Sequence, residues 1–183
     1  MIILMTRNRI IKISGYFIIL LIFFNLACAT IIPAKKEYYN IVKKNRTESM
    51  DFAFMKMRDF AREYPESIYT PKVRFAIAEY YFQTRNYPDA INTIISYIAD
   101  YPDDKSTLFA YAILYKIISE RRGNLELLEK LKEKFFSKPL FLIFSEAKIK
   151  SYNSILNNKY KIAEYVEKVE IFKNNELFCA VTP

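Results

Sequence analysis

The chain of 183 residues contains no histidine and only two glycines, Gly15 and Gly123. Without histidine it lacks the commonest general base near neutral pH and the commonest nitrogen ligand for metals. One glycine beyond the N-terminal stretch cannot build the Gly-rich loop that cradles nucleotide phosphates. Two cysteines, Cys28 and Cys179, stand alone rather than at metal-ligand spacing. Ser145-Glu146-Ala147-Lys148 spells the S-x-x-K of serine acyl-enzymes but lacks the S-D-N and K-T-G elements that complete it, and it reads as one turn of a helix. These gaps point away from an enzyme, a metal site and any cofactor. The 28 basic and 20 acidic residues are spread along the chain, as on solvated helix faces, which argues against a nucleic-acid partner. What the chain does have is 15 Tyr and 15 Phe, enough apolar surface to fold a sizeable domain.

Residues 1–27 read as an export signal. Arg7, Arg9 and Lys12 precede an almost unbroken apolar run from Gly15 to Leu26, which ends in small residues. Twelve residues at ~1.5 Å each fall short of a ~30 Å bilayer core, so cleavage is preferred to an uncleaved anchor reaching back to Ile10. Asn25-Leu26-Ala27-Cys28 resembles a bacterial lipobox, with Asn25 where an aliphatic residue is usual. That resemblance implies diacylation of Cys28, a tether over 28–33, and a protein held at a membrane surface. The rival reading takes Ala27-Cys28-Ala29 as an A-x-A site, with cleavage before Thr30 and a soluble periplasmic or secreted product. Loss of 1–27 removes three basic residues and leaves an excess of +5. Cys179, single after lipidation of Cys28, is expected as a small apolar core residue.

Pro65, Pro102 and Pro139 are spaced 37 residues apart, and Glu63-Tyr64-Pro65-Glu66 is echoed by Asp100-Tyr101-Pro102-Asp103. Ala53 pairs with Ala90 in the same phase, Phe60 with Tyr97, and Thr70 with Thr107. A constant interval of this size marks a repeat architecture, in which each unit buries its apolar face against its neighbours. Ile91, Ile94, Ile95 and Ile98 form one apolar stripe at helical spacing, as do Leu125, Leu128, Leu131 and Phe135.

Counting from Pro71, the spacing of Ile77, Ala78, Tyr81, Tyr87, Ala90, Ile94 and Pro102 resembles the tetratricopeptide repeat. Arg74 and Tyr97 depart from it, standing where a large apolar residue and Ala are usual. Small residues at Ala53, Ala78 and Ala90 let antiparallel helices approach closely, and Tyr81, Tyr87 and Ile94 fill the space beside them. Units are expected near 34–67, 71–104 and 108–141. The segment Tyr64 to Tyr69 and the 37-residue interval resemble the periplasmic outer-membrane lipoproteins of β-barrel assembly, secretin piloting and Tol–Pal coordination. The expected fold is therefore mainly α: a short α-solenoid of antiparallel helix pairs, followed over 142–183 by a capping helix and a small β-hairpin. The capping helix is placed within Leu140 to Leu156 and the hairpin turn at Asn174-Asn175, a pair that tolerates positive φ. Its register would put Lys173 opposite Glu176, Phe172 opposite Leu177, Ile171 opposite Phe178 and Val169 opposite Ala180. A helix over 160–172 is the alternative, because Tyr160 and Ala163 imitate repeat positions.

The resemblance implies a partner-binding groove on the first helices of the units, at Tyr38, Lys72, Phe75, Glu79, Phe82, Phe109, Lys116 and Ser119. Phe75 and Phe82 would anchor an apolar peptide, with Lys72 and Lys116 holding its acidic groups. The competing reading is that this short array covers those aromatics with its own ends. The implied role is a non-catalytic, membrane-tethered adaptor for an envelope protein or peptide. The alternatives are a repeat domain that positions a peptidoglycan enzyme, or a soluble secreted repeat protein. Neither the partner nor the oligomeric state is legible in the residues.

Overall fold

Ser49 and four prolines set most of the helix limits. The Ser49 hydroxyl accepts the Phe52 N–H at 3.2 Å and so caps a helix whose first N–H groups have no internal partner. Pro71 and Pro88 sit in first turns, where a missing N–H costs nothing, while Pro65 and Pro102 follow helix ends. The computed structural model describes residues 32–121, 125–136, 151–165 and 168–182. Among them are six helices: α1 (32–44), α2 (Met50–Glu63), α3 (Thr70–Gln83), α4 (Tyr87–Asp100), α5 (Thr107–Glu120) and α6 (Leu125–Phe135). Four strands follow: β1 (Ser151–Asn153), β2 (Lys159–Glu164), β3 (Val169–Lys173) and β4 (Glu176–Val181).

The 37-residue interval has a simple mechanical basis. Helices α3 and α4 have 14 residues each, joined by a three-residue turn, and six residues separate α4 from α5. A 34-residue unit with the same helices leaves three residues for each turn, so the additional three lie in the six-residue one. That turn is built twice in the same way. Tyr64 and Tyr101 leave the helix at φ −128°, ψ 56° and φ −133°, ψ 59°, away from the helical region that a following proline disfavours. The Thr70 hydroxyl donates to the Tyr64 carbonyl at 2.5 Å and the Thr107 hydroxyl to the Tyr101 carbonyl at 2.6 Å. The matching Thr residues therefore clamp the start of the next helix to the end of the last. The shorter turn needs a left-handed residue, and Arg85 takes φ 61° there.

From α2 onward each helix packs on the next along the chain, and α1 shares an apolar cluster with α2 and α3. Ala53, Ala78 and Ala90 have no exposed surface, and Ile94 is equally buried. Tyr81 and Tyr87 are half-buried against the core, and Pro102 is exposed beyond the end of α4. Both departures from the repeat pattern find partners. The Arg74 guanidinium pairs with Asp100 at 2.5 Å and donates to Ser96 at 2.9 Å. Tyr97 is fully buried, and its hydroxyl donates to Asp104 at 2.8 Å, so the larger residue at an alanine position reaches a polar anchor in the turn beyond.

The C-terminal portion is an antiparallel meander in the order β1-β2-β3-β4. Asn174 and Asn175 form its last turn at φ 55° and 70°, so the hairpin, and not a helix over 160–172, is present. Lys173 pairs with Glu176 and Phe172 with Leu177, in the anticipated register. Beyond them an irregularity at Ile171/Phe172 shifts the pairing, so that Ile171 lies opposite Cys179 and Val169 opposite Val181. A bulge of this kind lets one additional residue leave the alternation. Phe178, left out of the pairing, turns into the core.

The helix expected over Leu140 to Leu156 needs correction where it can be checked. Residues 140–150 lie outside the described residues, and 151–153 form β1, with Asn157 at φ 62° in the turn to β2. Tyr152 explains the preference: in a strand it alone of Ser151-Tyr152-Asn153 points inward, where it meets the rings of Phe75 and Phe109. Two apolar clusters result. One joins α3 to α6 with the sheet, and the other joins α1, α2 and α3 with Ile155 of the β1–β2 turn. The Asn45 side chain, which donates to the Ile155 carbonyl at 2.8 Å, ties the turn after α1 to that connection.

Candidate functional site

Helices α3 and α5 present the face on which the groove was expected, and the sheet of the same chain lies upon it. Phe75 of α3 and Phe109 of α5 are fully buried. Tyr160 of β2 stands between them, its ring centre 6.0 Å from Phe75 and 5.1 Å from Phe109. Tyr152 contacts the same two rings at 5.3 and 5.8 Å. Further along α3, Phe82 meets Phe178 of β4 edge to face at 5.6 Å. These are the contacts that a bound aromatic peptide would make, supplied here from within the chain. The expectation of an open groove along Phe75, Glu79 and Phe109 is thereby corrected: a peptide reaches them only by displacing the sheet. The physical reason is area, since a short array leaves its large aromatics wet unless its own C-terminal portion covers them.

Glu79, expected at the groove wall, is the polar centre of this junction. It has no exposed surface. Its Oε1 accepts from the Tyr160 hydroxyl at 2.6 Å and from Asn158 Nδ2 at 2.9 Å. Asn158 in turn accepts from the side chain of Asn174 at 3.2 Å, which links α3 to the first and last turns of the meander. Burial raises the Glu79 carboxyl above its ordinary range, against the lowering effect of its hydrogen bonds and of Lys173. Lys173 is pushed the other way: burial lowers its ammonium, and the nearby carboxyl opposes the change. The Lys173 ammonium lies 5.7 Å from the Phe82 ring centre and 6.0 Å from those of Tyr160 and Phe178, within range for attraction to aromatic faces.

The remaining expected residues lie around the margin. Lys72 and Ser119 are exposed. Lys116 pairs with Glu120 at 2.6 Å and lies 5.1 Å from the Phe178 ring centre. Tyr38 of α1 packs against the second apolar cluster, stacked on Tyr69 at 4.4 Å. Cys179 is a half-buried thiol against the core rather than within it, and burial pushes it up to about 12, so it is not a thiolate at neutral pH. The residues of this junction that lie outside the expected groove set are Tyr152, Asn158, Tyr160 and Lys173. A signal for one of them, Tyr160, was present in the alternation Tyr160-Lys161-Ile162, buried, exposed, buried, which is a strand period rather than a helical one.

The sequence pattern that defines the YfiO outer membrane lipoproteins matches residues 31–131, from the start of α1 to the last turns of α6. The chain belongs to the YfiO outer membrane lipoprotein family. That match includes the helices that carry Phe75, Glu79 and Phe109 and ends before the sheet. No curated protein and no solved structure matches the chain. Among the described residues of this YfiO-family chain, no helix is long and apolar enough to cross a membrane, and no group of three or more Cys, Asp or Glu residues could hold a metal ion.

Proposed function

We propose that the chain is a non-catalytic adaptor, lipid-anchored through Cys28 at the periplasmic face of the outer membrane, that holds an envelope protein by its repeats. The observation that carries this reading is the family match, which spans the three helix pairs α1–α2, α3–α4 and α5–α6. Residues 1–27 act as the signal peptide in this reading, and 28–33 as the tether. The resemblance to β-barrel assembly lipoproteins points to outer-membrane protein assembly as the process served. The sheet redirects the partner from the buried rings to the margin of the same face, where Lys72 and Ser119 are exposed and Phe82 and Lys116 are half-buried.

Crosslinking in intact envelopes, followed by recovery of the chain, tests the role. Recovery of a barrel-assembly component is expected, and its loss in a Lys72→Glu/Ser119→Glu double variant would assign the contact to this margin. Recovery of a peptidoglycan hydrolase would replace the reading with that of an enzyme-positioning domain. Palmitate incorporation that disappears in Cys28→Ser tests the anchor separately. A chain beginning at Thr30 in the soluble fraction would establish the other cleavage site.

A further inference from the structure

The end of the array nearest the proposed anchor leaves large apolar side chains mostly exposed. Ile68, at the tip of the turn between α2 and α3, is 80% exposed, Ile32 at the start of α1 is 70% exposed and Tyr39 is 56% exposed. They belong to one surface. Ala34 and the turn residues Tyr64 to Tyr69 line a shared cleft of about 470 Å³, and Tyr39 contacts the ring of Tyr69 at 6.2 Å. Isolated exposed apolar residues are ordinary, but three at one end beside an apolar cleft indicate a covering surface.

The length of chain leading to this end identifies what covers it. Ile32 lies four positions after Cys28, a reach of at most ~14 Å at ~3.3–3.6 Å per residue. A diacylated Cys28 lies at the bilayer surface, so the start of α1 is held within a headgroup layer's thickness of it. The charges here are mixed, Lys35 and Lys36 against Glu63 and Glu66, all exposed. Attraction to anionic lipid is therefore weak, and apolar insertion carries the contact. We infer that this end of the array, with Ile32, Ile68 and Tyr39 at its tip, docks into the interfacial layer of the membrane and fixes the orientation of the anchored protein. The inference rests on the lipidation of Cys28 proposed above.

The chain has no tryptophan, so a single introduced indole reports its own surroundings. The test uses full-length processed protein carrying Ile68→Trp, reconstituted into phosphatidylethanolamine/phosphatidylglycerol vesicles with and without brominated acyl chains. Ile95→Trp on α4, at a site 49% exposed, is the control. Mass spectrometry first establishes whether Cys28 carries acyl chains. With an acylated Cys28, the expected result is a blue-shifted emission at position 68, at least twofold quenching by brominated lipid, and at least threefold less quenching by aqueous acrylamide than at position 95. Equal acrylamide access at the two sites would overturn the docking while leaving the anchor intact. A blue shift without brominated-lipid quenching, growing with the protein-to-lipid ratio, would assign the surface to a second copy and also overturn it. An unacylated Cys28 would overturn the anchor and, with it, this inference. Ile32→Trp should repeat the behaviour of position 68, and unchanged circular dichroism in all three variants excludes misfolding as the cause.

Discussion

If the sheet is part of the core, removing one ring beneath it should destabilise the whole protein, and Phe109→Ala is the sharpest such perturbation. Phe109 has no exposed surface and packs against Tyr152 at 5.8 Å and Tyr160 at 5.1 Å. Truncating a buried phenylalanine costs about 3–5 kcal/mol, combining lost transfer energy with the cavity left behind. Loss of the two ring contacts favours the upper part of that range, since aromatic pairs contribute about 0.5–1.5 kcal/mol beyond their area. For a domain of this size each kcal/mol moves the melting temperature by roughly 2–4 °C, so a fall of roughly 6–20 °C is expected. Leu177→Ala, on the same sheet but 56% exposed, should stay within about 0.5 kcal/mol of wild type. Thermal melts followed by far-ultraviolet circular dichroism for the helices and by tyrosine near-ultraviolet signal for the junction supply both readouts. The two signals should be lost together, at the lower temperature. A Phe109→Ala protein melting within 2 °C of wild type would refute the burial, and a tyrosine signal lost well before the helices would show that the sheet is separable from the array.

Ala90 lies where α3 and α4 approach, so Ala90→Leu should cost about 1–3 kcal/mol by overpacking, whereas Ala99→Leu on the exposed side of α4 should leave the urea midpoint nearly unchanged. Glu79 binds its proton more tightly folded than unfolded. In that case the unfolded chain releases the proton first, and this group's contribution to stability declines as pH rises from the ordinary carboxylate range to the raised folded value. Glu79→Gln should flatten the dependence over that window and raise stability above it, as read from urea midpoints between pH 4 and pH 8. A variant less stable than wild type at pH 8 would show that the carboxylate form is the one the junction accommodates.

The periodic features of the chain were legible without coordinates because they are local. Pro65 and Pro102 end helices by their own covalent structure, Ala53 and Ala90 mark close approaches through their size, and Asn174-Asn175 admits a turn that few other pairs tolerate. The hairpin register was readable for its first two pairs for the same reason, because a turn fixes its neighbours. It failed beyond Phe172, where burying Phe178 against Phe82 and Tyr160 outweighs regular pairing. The Arg74 and Tyr97 departures became intelligible only through Asp100, at the end of α4, and Asp104, in the turn beyond it. The groove is the clearest case. Helical spacing assigned Phe75, Glu79 and Phe109 to one face, which the fold preserves, but spacing says nothing about what occupies a face. Tyr152 and Tyr160, more than forty residues away in sequence, settle that by competing for the same apolar surface. Helix limits and repeat length follow from short-range sterics and hydrogen bonding, whereas occupancy of the face shared by α3 and α5 depends on long-range burial, which only the assembled tertiary structure decides.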